Sequence, residues 1–417
     1  MNDLRRNVAI DLVVAVGIAV TSAIVNALLP TIARQTGMAP IGIAVLAAAP
    51  YVGNLLGAFA GRIGPQTRPH LALTRALGAG FLLSLAFAPD PLLIVIVVLF
   101  FWLSLSLSNP FHFGLWSSMY EARQRARVIG VIGTCRAAAA GGAAVGLGLL
   151  ADRFGPPVAM GVAGAIGVVC TSAALWFRGG QAAQHARYSA REAIRSLTGR
   201  PSLRTLVLAQ GFYGGGMIAA APLYALVYVD RLGLSLADVG SIAIVSAAAT
   251  TATYYAWGAL VDRRGGRAAL KAGASLGLCS VLIVAVSPSL PVLWLAAAAG
   301  GLASAAIDLG IQGAIADETP PTERAAAMAG WNAITGARGS LVPFASTALV
   351  QAGLLSVTAA LLVCAVPVAI GTAIYIGRQP RARGARGVVA VTELGARHVG
   401  VRYRSLVRRG QGVGGSV

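Results

Sequence analysis

Along the chain, apolar residues come in long runs rich in Ala, Gly, Leu and Val, separated by short polar breaks, and the runs show no alternation of period two. A run of about 20 such residues is long enough to cross the hydrocarbon of a bilayer as a helix, whereas barrel strands would alternate over about ten. The pattern predicts twelve spans, at 8–29, 40–61, 70–88, 92–119, 128–150, 157–177, 204–228, 238–261, 268–287, 292–316, 325–351 and 355–377. Between them stand turn formers: "PDP" at 89–91, "GPP" at 155–157 and "SPSLP" at 287–291. Arg5 and Arg6 precede the first run as in a signal peptide. Val8–Leu29 is too long for such a segment, so it is read as the first helix.

Composition agrees. Hydrophobic residues make up 57% and charged residues 11% of 417, and the mean hydropathy is +0.74. A soluble fold cannot hide that much apolar surface, which excludes a water-soluble protein. The four cysteines, Cys135, Cys170, Cys279 and Cys364, lie inside apolar runs without CxxC spacing, and read as small buried hydrophobes, not as disulfides or metal ligands. No metal site or cofactor is expected.

The charge of +19 is a topological signal. With both termini on the cytoplasmic side, 27 of the 33 Lys and Arg fall on that side, three (Arg34, Arg153, Arg231) fall opposite, and three (Arg75, Arg136, Arg338) lie within spans. Nucleic-acid binding is therefore not inferred. One Lys among so many Arg, with abundant Ala and Gly, suggests a GC-rich bacterial genome and a bacterial cytoplasmic (inner) membrane. The basic stretch 178–203 divides two six-helix halves, 1–177 and 204–377, and 378–417 is a basic, flexible tail. Linker and tail either lean on anionic lipid headgroups or are simply solvated.

The halves repeat. "GAFAGRIG" at 57–64 aligns with "GALVDRRG" at 258–265, each ending the second helix of its half. "HFGLWSSMYEARQRAR" from His112 aligns with "DLGIQGAIADETPPTER" from Asp308, setting His112 against Asp308 and Glu121 against Asp317; Arg136 and Arg338 also correspond. Parallel repeats place a binding site between the halves near mid-membrane. On these residues the chain resembles the major facilitator superfamily over 8–377. Gly258, Leu260, Asp262, Arg263 and Gly265, with Arg267 as the basic end, match that family's loop signature G-x-L-x-D-R-x-G-R-[RK]. The first copy keeps Gly57, Arg62 and Gly64 but has Gly61 in place of the acid. A third lookalike, "GLLADRFG" at 148–155, reads as an ordinary end of helix 5.

The resemblance implies an all-α integral membrane fold, with helices 1, 4, 7 and 10 lining a cavity. Asp262 at a helix end suits the unpaired N–H groups of a facing helix N-terminus, here helix 5. Arg263, Arg264 and Arg267 can pair with Asp317 and Glu318, and Arg62 with Glu121, as latches that break on switching. In the other half Gly53, Gly57 and Gly61 permit packing instead. Two roles stay open for the in-span charges. Asp308 and Arg338 form a structural ion pair with His112 bonded inside helix 4, or Arg136 and Arg338 attract an anion while Asp308 or His112 carries a proton. Gln312, Asn26, Ser104 and Ser108 add polar stripes at helical spacing.

The leading expectation is a secondary transporter, not an enzyme, moving a small solute by alternating access with proton coupling, an organic anion being favoured. A drug/proton antiporter lacks its usual Gly-Pro pair, since helix 5 reads "GGAAVGLG". A scaffold or sensor on the same fold would tolerate loss of Asp308 and Arg338. The expected partners are the solute, protons and lipid, and the expected state is a monomer.

Overall fold

The structure, a computed structural model, describes residues 3–57, 67–87, 90–120, 122–179, 189–320 and 323–377. Twelve long helices fill them. The first six are α1 (Asp3–Gln35), α2 (Pro40–Gly57), α3 (Arg68–Ser84), α4 (Pro91–Met119), α5 (Ala122–Phe154) and α6 (Pro156–Ser172). The second six are α7 (Pro201–Arg231), α8 (Leu236–Arg264), α9 (Gly266–Val286), α10 (Leu290–Glu318), α11 (Arg324–Gln351) and α12 (Val357–Ile376). Nine of them are each long and apolar enough to cross a bilayer unaided. The others are α2, α3 and α11. Of these α2 is apolar but short over its described residues, and it packs on α11 between the halves.

Local chemistry sets many of the starts. Asp90 accepts from Leu92 N–H and Leu93 N–H ahead of α4 (2.8 and 3.2 Å). Ser235 with Asp238 makes a capping box for α8, and Ser356 caps α12. Helices such as α1 and α5 run past the predicted spans, because hydropathy marks where the bilayer ends and not where the backbone stops coiling.

Within the first bundle α1 packs on α5 and α6, α3 on α4 and α6, and α2 on α4. In the second, α10 packs on α8 and α9, and α12 on α7 and α9. The two-fold shows in a detail: a single π turn interrupts α1 at Ile24–Leu28, and another ends α7 at Val227–Arg231. The bundles meet along two seams, α5 with α8 and α2 with α11.

Between α6 and α7 stands a short connecting helix, Ala190–Thr198. Ser189 and Glu192 close its N-terminus as a capping box, and those bonds hold the Glu192 carboxyl below its usual range. It buries Ala193 and Leu197 and leaves Arg191 and Arg195 exposed, docking on α11 where Gly330 lets the Ala193 carbonyl approach. The part of the basic linker nearest α7 is thus folded against the second bundle. The tail 378–417 lies outside the described residues.

Candidate functional site

The core shows which end of the molecule is sealed. Away from the connecting helix, one continuous apolar cluster draws on both bundles, joining Leu28 and Ile32 of α1 and Leu147 of α5 to Leu223 of α7 and Leu236 and Val239 of α8. Toward the connecting helix the core divides. Ile10, Val14, Leu71 and Phe177 belong to one cluster, and Leu203, Leu206, Ile311 and Trp331 to another. Among the described residues the buried core therefore joins the bundles at the far end, and at the end bearing the connecting helix each bundle keeps its own cluster.

Polar bonds secure the far end. Asp152, at the end of α5, accepts from Leu236 N–H (2.9 Å) and Ala237 N–H (2.8 Å), two of the free donors at the N-terminus of α8. Arg34 and Asp230 pair at 2.9 Å, Gln351 Oε1 accepts from Ile41 N–H at 3.1 Å, and Gln35 reaches the Leu234 carbonyl. Beneath these bonds the α5–α8 seam closes to backbone contact: a Cβ at Gly148 would lie 2.5 Å from the Leu236 carbonyl oxygen, and one at Gly240 2.5 Å from that of Ala144. The chemistry expected of Asp262 is thus performed here by Asp152, in the segment "GLLADRFG" that was read as an ordinary helix end. The usable signal was its aspartate, at the same place in a G-x-x-x-D-R-x-G frame.

At the open end, "GALVDRRGGR" works within the second bundle. Gly265, at φ +81°, ends α8 and starts α9 in a single residue. Gly266 lies against α10, where a Cβ would collide with the Gly310 carbonyl. Arg267 pairs with Glu318, and Asp317 lies near Gly265. Asp262, Arg263 and Arg264 are exposed, and Asp262 has no ion pair among the described residues. Gly258 is half-buried with open space beside it. Arg62, Gly61, Gly64 and Glu121 lie outside the described residues, and so does the expected contact between Arg62 and Glu121.

Three interior groups follow. In the first, Asp308 of α10 is exposed and accepts from Tyr254 Oη of α8 at 3.4 Å. Arg136 of α5, in the opposite bundle, is also exposed. Gln312, one turn from Asp308, and Asn26, in the π turn of α1, are exposed as well.

In the second group, Arg338 of α11 donates through Nη1 to the Gln210 carbonyl of α7, and Gln210 Oε1 accepts from Tyr375 Oη of α12 at 2.7 Å. A Cβ at Gly214 would lie 2.7 Å from Arg338 Nη2, so glycine there makes room for the guanidinium. Tyr51 of α2, in the other bundle, packs on the residue after Arg338, Gly339. The structural pairing of Asp308 with Arg338 is not formed: each is bonded to a different helix, which corrects one of the two expected roles.

The third group corrects the reading of His112. His112 is buried and bonded across helices, not within α4. Its Nε2–H donates to Asp11 Oδ1 at 2.8 Å, and Arg75 Nη2 lies 3.0 Å from its Nδ1. A guanidinium has only donors, so Nδ1 accepts and Nε2 carries the proton. Trp116 (2.5 Å) and Tyr120 (3.0 Å) donate to Asp11 Oδ2, and Arg75 Nε donates to Ser108 at 3.1 Å. His112 and Trp116 on α4 and Tyr120 at its C-cap, spaced by four, are aimed at a single carboxylate that is 0% exposed. Sequence reasoning missed Asp11 as the hub, although that spacing was visible.

Two repeated six-helix bundles, sealed at one end around an interior lined with charge, define a membrane transporter. The chain belongs to the Major Facilitator Superfamily, which it matches over residues 12–285 and 206–410. Solved structures share its fold. The nucleoside transporter NupG superposes with a TM-score of 0.69 at 14% identity, covering 90% of this chain and 98% of that one. The human organic anion transporter MFSD10 (TETRAN) gives 0.62 at 15%, covering 90% and 100%. A bacterial homolog of the human lysosomal transporter Spinster, inward-facing and occupied, gives 0.64 at 15%, covering 88% and 95%. At these identities the likeness is one of fold. No curated protein sequence matches the chain.

Proposed function

We propose that this transporter moves a small organic anion across a bacterial cytoplasmic membrane by alternating access, coupled to protons, with the connecting helix and both termini in the cytoplasm. The observation that carries this reading is Asp308, exposed within α10 and held by Tyr254, with Arg136 exposed on α5 of the opposite bundle. A carboxylate and an arginine on opposite walls provide one site for a proton and one for an anion, and Arg338 adds a second cation at the seam. The two halves, 1–177 and 204–377, rock about this space as a monomer, with linker and tail on the cytoplasmic face.

Proteoliposomes carrying the full chain, a panel of organic acids and an imposed pH gradient test the proposal. Gradient-driven flux of at least one acid is expected, and Asp308→Asn should reduce it on the order of tenfold or more while exchange without a gradient persists. If no acid moves, or if the Asn variant couples as well as the parent, the reading fails; flux of cationic drugs against protons would favour an antiporter instead.

Asp262 is assigned the cytoplasmic latch, engaging the α5 N-terminus when that side closes; its exposure at the open end fits a released latch. Asp262→Asn should raise maleimide labelling of cysteines placed on the cytoplasmic side. Unchanged labelling counts against the latch.

A further inference from the structure

α5 and α8 carry one pattern twice. At a constant separation of 110 residues, Gly130, Gly148, Asp152 and Gly155 along α5 stand against Gly240, Gly258, Asp262 and Gly265 along α8. Both copies end alike: Gly155, at φ +92°, joins α5 to α6, and Gly265, at φ +81°, joins α8 to α9. The seal at the far end uses one glycine of each copy. Gly148 lies against the Leu236 backbone and Gly240 against that of Ala144, each so close that a Cβ would lie 2.5 Å from a carbonyl oxygen. Their counterparts are Gly258 and Gly130. A Cβ at either meets nothing within 4 Å among the described residues.

Helical geometry aims the idle pair along the seam. Gly130 precedes Gly148, and Gly240 precedes Gly258, by 18 residues, which is five full turns of about 3.6 residues. Gly130 therefore lies on the same side of α5 as Gly148, and Gly258 on the same side of α8 as Gly240, each pair about 27 Å apart along its helix. The seam contacts run Gly148 with Leu236, Ala144 with Gly240 and Gly141 with Ala247, so the helices are antiparallel and the 110-residue match is a local two-fold across them. At Gly141 a Cβ would still meet Ala247 at 3.1 Å, and beyond it the helices part.

We infer that Gly130 and Gly258 form a second seal, idle in this structure, that closes the end bearing the connecting helix when the far seal parts. Carried through the two-fold, Gly258 meets the backbone at Ala126 and Gly130 meets the Tyr254 carbonyl. Asp262 follows Gly258 by four residues, as Asp152 follows Gly148, and so reaches α5 near its N-terminus. One position differs in kind: Tyr254 stands where the first seal has Ala144. Its bond to Asp308 of α10 holds the ring out of the seam, which ties this seal to the interior carboxylate. A rigid rock about the middle of the seam exchanges one seal for the other. The inference rests on alternating access and not on the nature of the solute.

Valine at either idle glycine tests this. In the present conformation the new side chain meets open space, so Gly130→Val and Gly258→Val should fold and melt with the parent, and the penalty falls on the opposite state. A cysteine at Gln35, at the far end of the full chain freed of its four native cysteines, reads the state through an impermeant maleimide. In a Gly148→Val background, which opens that end, adding Gly258→Val or Gly130→Val should slow labelling about fivefold or more, because the open state then carries an overpacked seam of its own. Alanine at either position should act in the same direction but less, and it serves if a valine variant fails to fold. Adding Gly146→Val, on the other side of α5, should leave the rate unchanged. If both glycines can be filled without slowing the label, they form no second seal. Flux in the proteoliposome assay would then still uphold alternating access, with the cytoplasmic end closed by other residues, so the two failures are distinguishable. If Gly148→Val does not itself speed labelling, the first seal falls and the second with it.

Discussion

Asp11→Asn is expected to lower the stability of the purified protein by about 3–5 kcal/mol, as for removal of one partner from a buried, hydrogen-bonded charge network. The carboxylate is 0% exposed and accepts from two side chains of α4 and from Tyr120 at its C-cap. Asparagine preserves the volume but removes the charge opposite Arg75 and sets an N–H against neighbouring donors. Arg75 already has one buried Nη1 without a partner, so little reserve remains in the cluster. Thermal unfolding in detergent reads the effect. His112→Gln, which keeps a donor and an acceptor in place, should cost less, about 1–3 kcal/mol. An Asn variant that melts with the parent would show that the network is not holding α1 to α4.

The second large effect concerns the seal. Gly148→Val should drive the far end of the transporter open. Its Cβ would lie 2.5 Å from the Leu236 carbonyl oxygen and 2.8 Å from the carbonyl carbon, both on the opposing bundle. Overpacking of this kind costs about 1–3 kcal/mol. The penalty falls on the sealed state alone, because separating α5 from α8 removes the clash. That corresponds to a population shift of about 5- to 150-fold. A cysteine at Gln35, in a chain freed of its four native cysteines, should label faster with an impermeant maleimide. Gly146→Val is the control on the same helix, since a Cβ there meets nothing within 4 Å. Equal labelling in the two variants would remove the seam from the account of sealing. Charge reversal at Asp230 should matter less, because the Arg34–Asp230 pair is partly solvated, with side chains 25% and 35% exposed.

Particular residues show how far sequence reading reached. All twelve helices were legible from run length, because a helix in lipid must satisfy its own backbone and can do so only by crossing as one apolar segment. The repeat was legible too, and it paired His112 with Asp308 and Arg136 with Arg338. Equivalence in the repeat did not carry over to environment. Asp308 is exposed beside Tyr254, whereas His112 is sealed between Asp11 and Arg75. Arg136 is exposed, while Arg338 is half-buried against Gln210. The Asp152 bond escaped notice because its partners are backbone N–H groups 84 and 85 residues away, which no side-chain pattern announces.

The sequence by itself determined the membrane class, the helix count and the repeat, since each follows from hydropathy and spacing along one dimension. Tertiary structure alone decided which carboxylate caps the opposing helix, which charges are buried in clusters and which face open space. Those outcomes depend on how the two bundles dock, and docking turns on backbone approaches of a few ångströms at residues such as Gly148 and Gly240, distances to which hydropathy is blind.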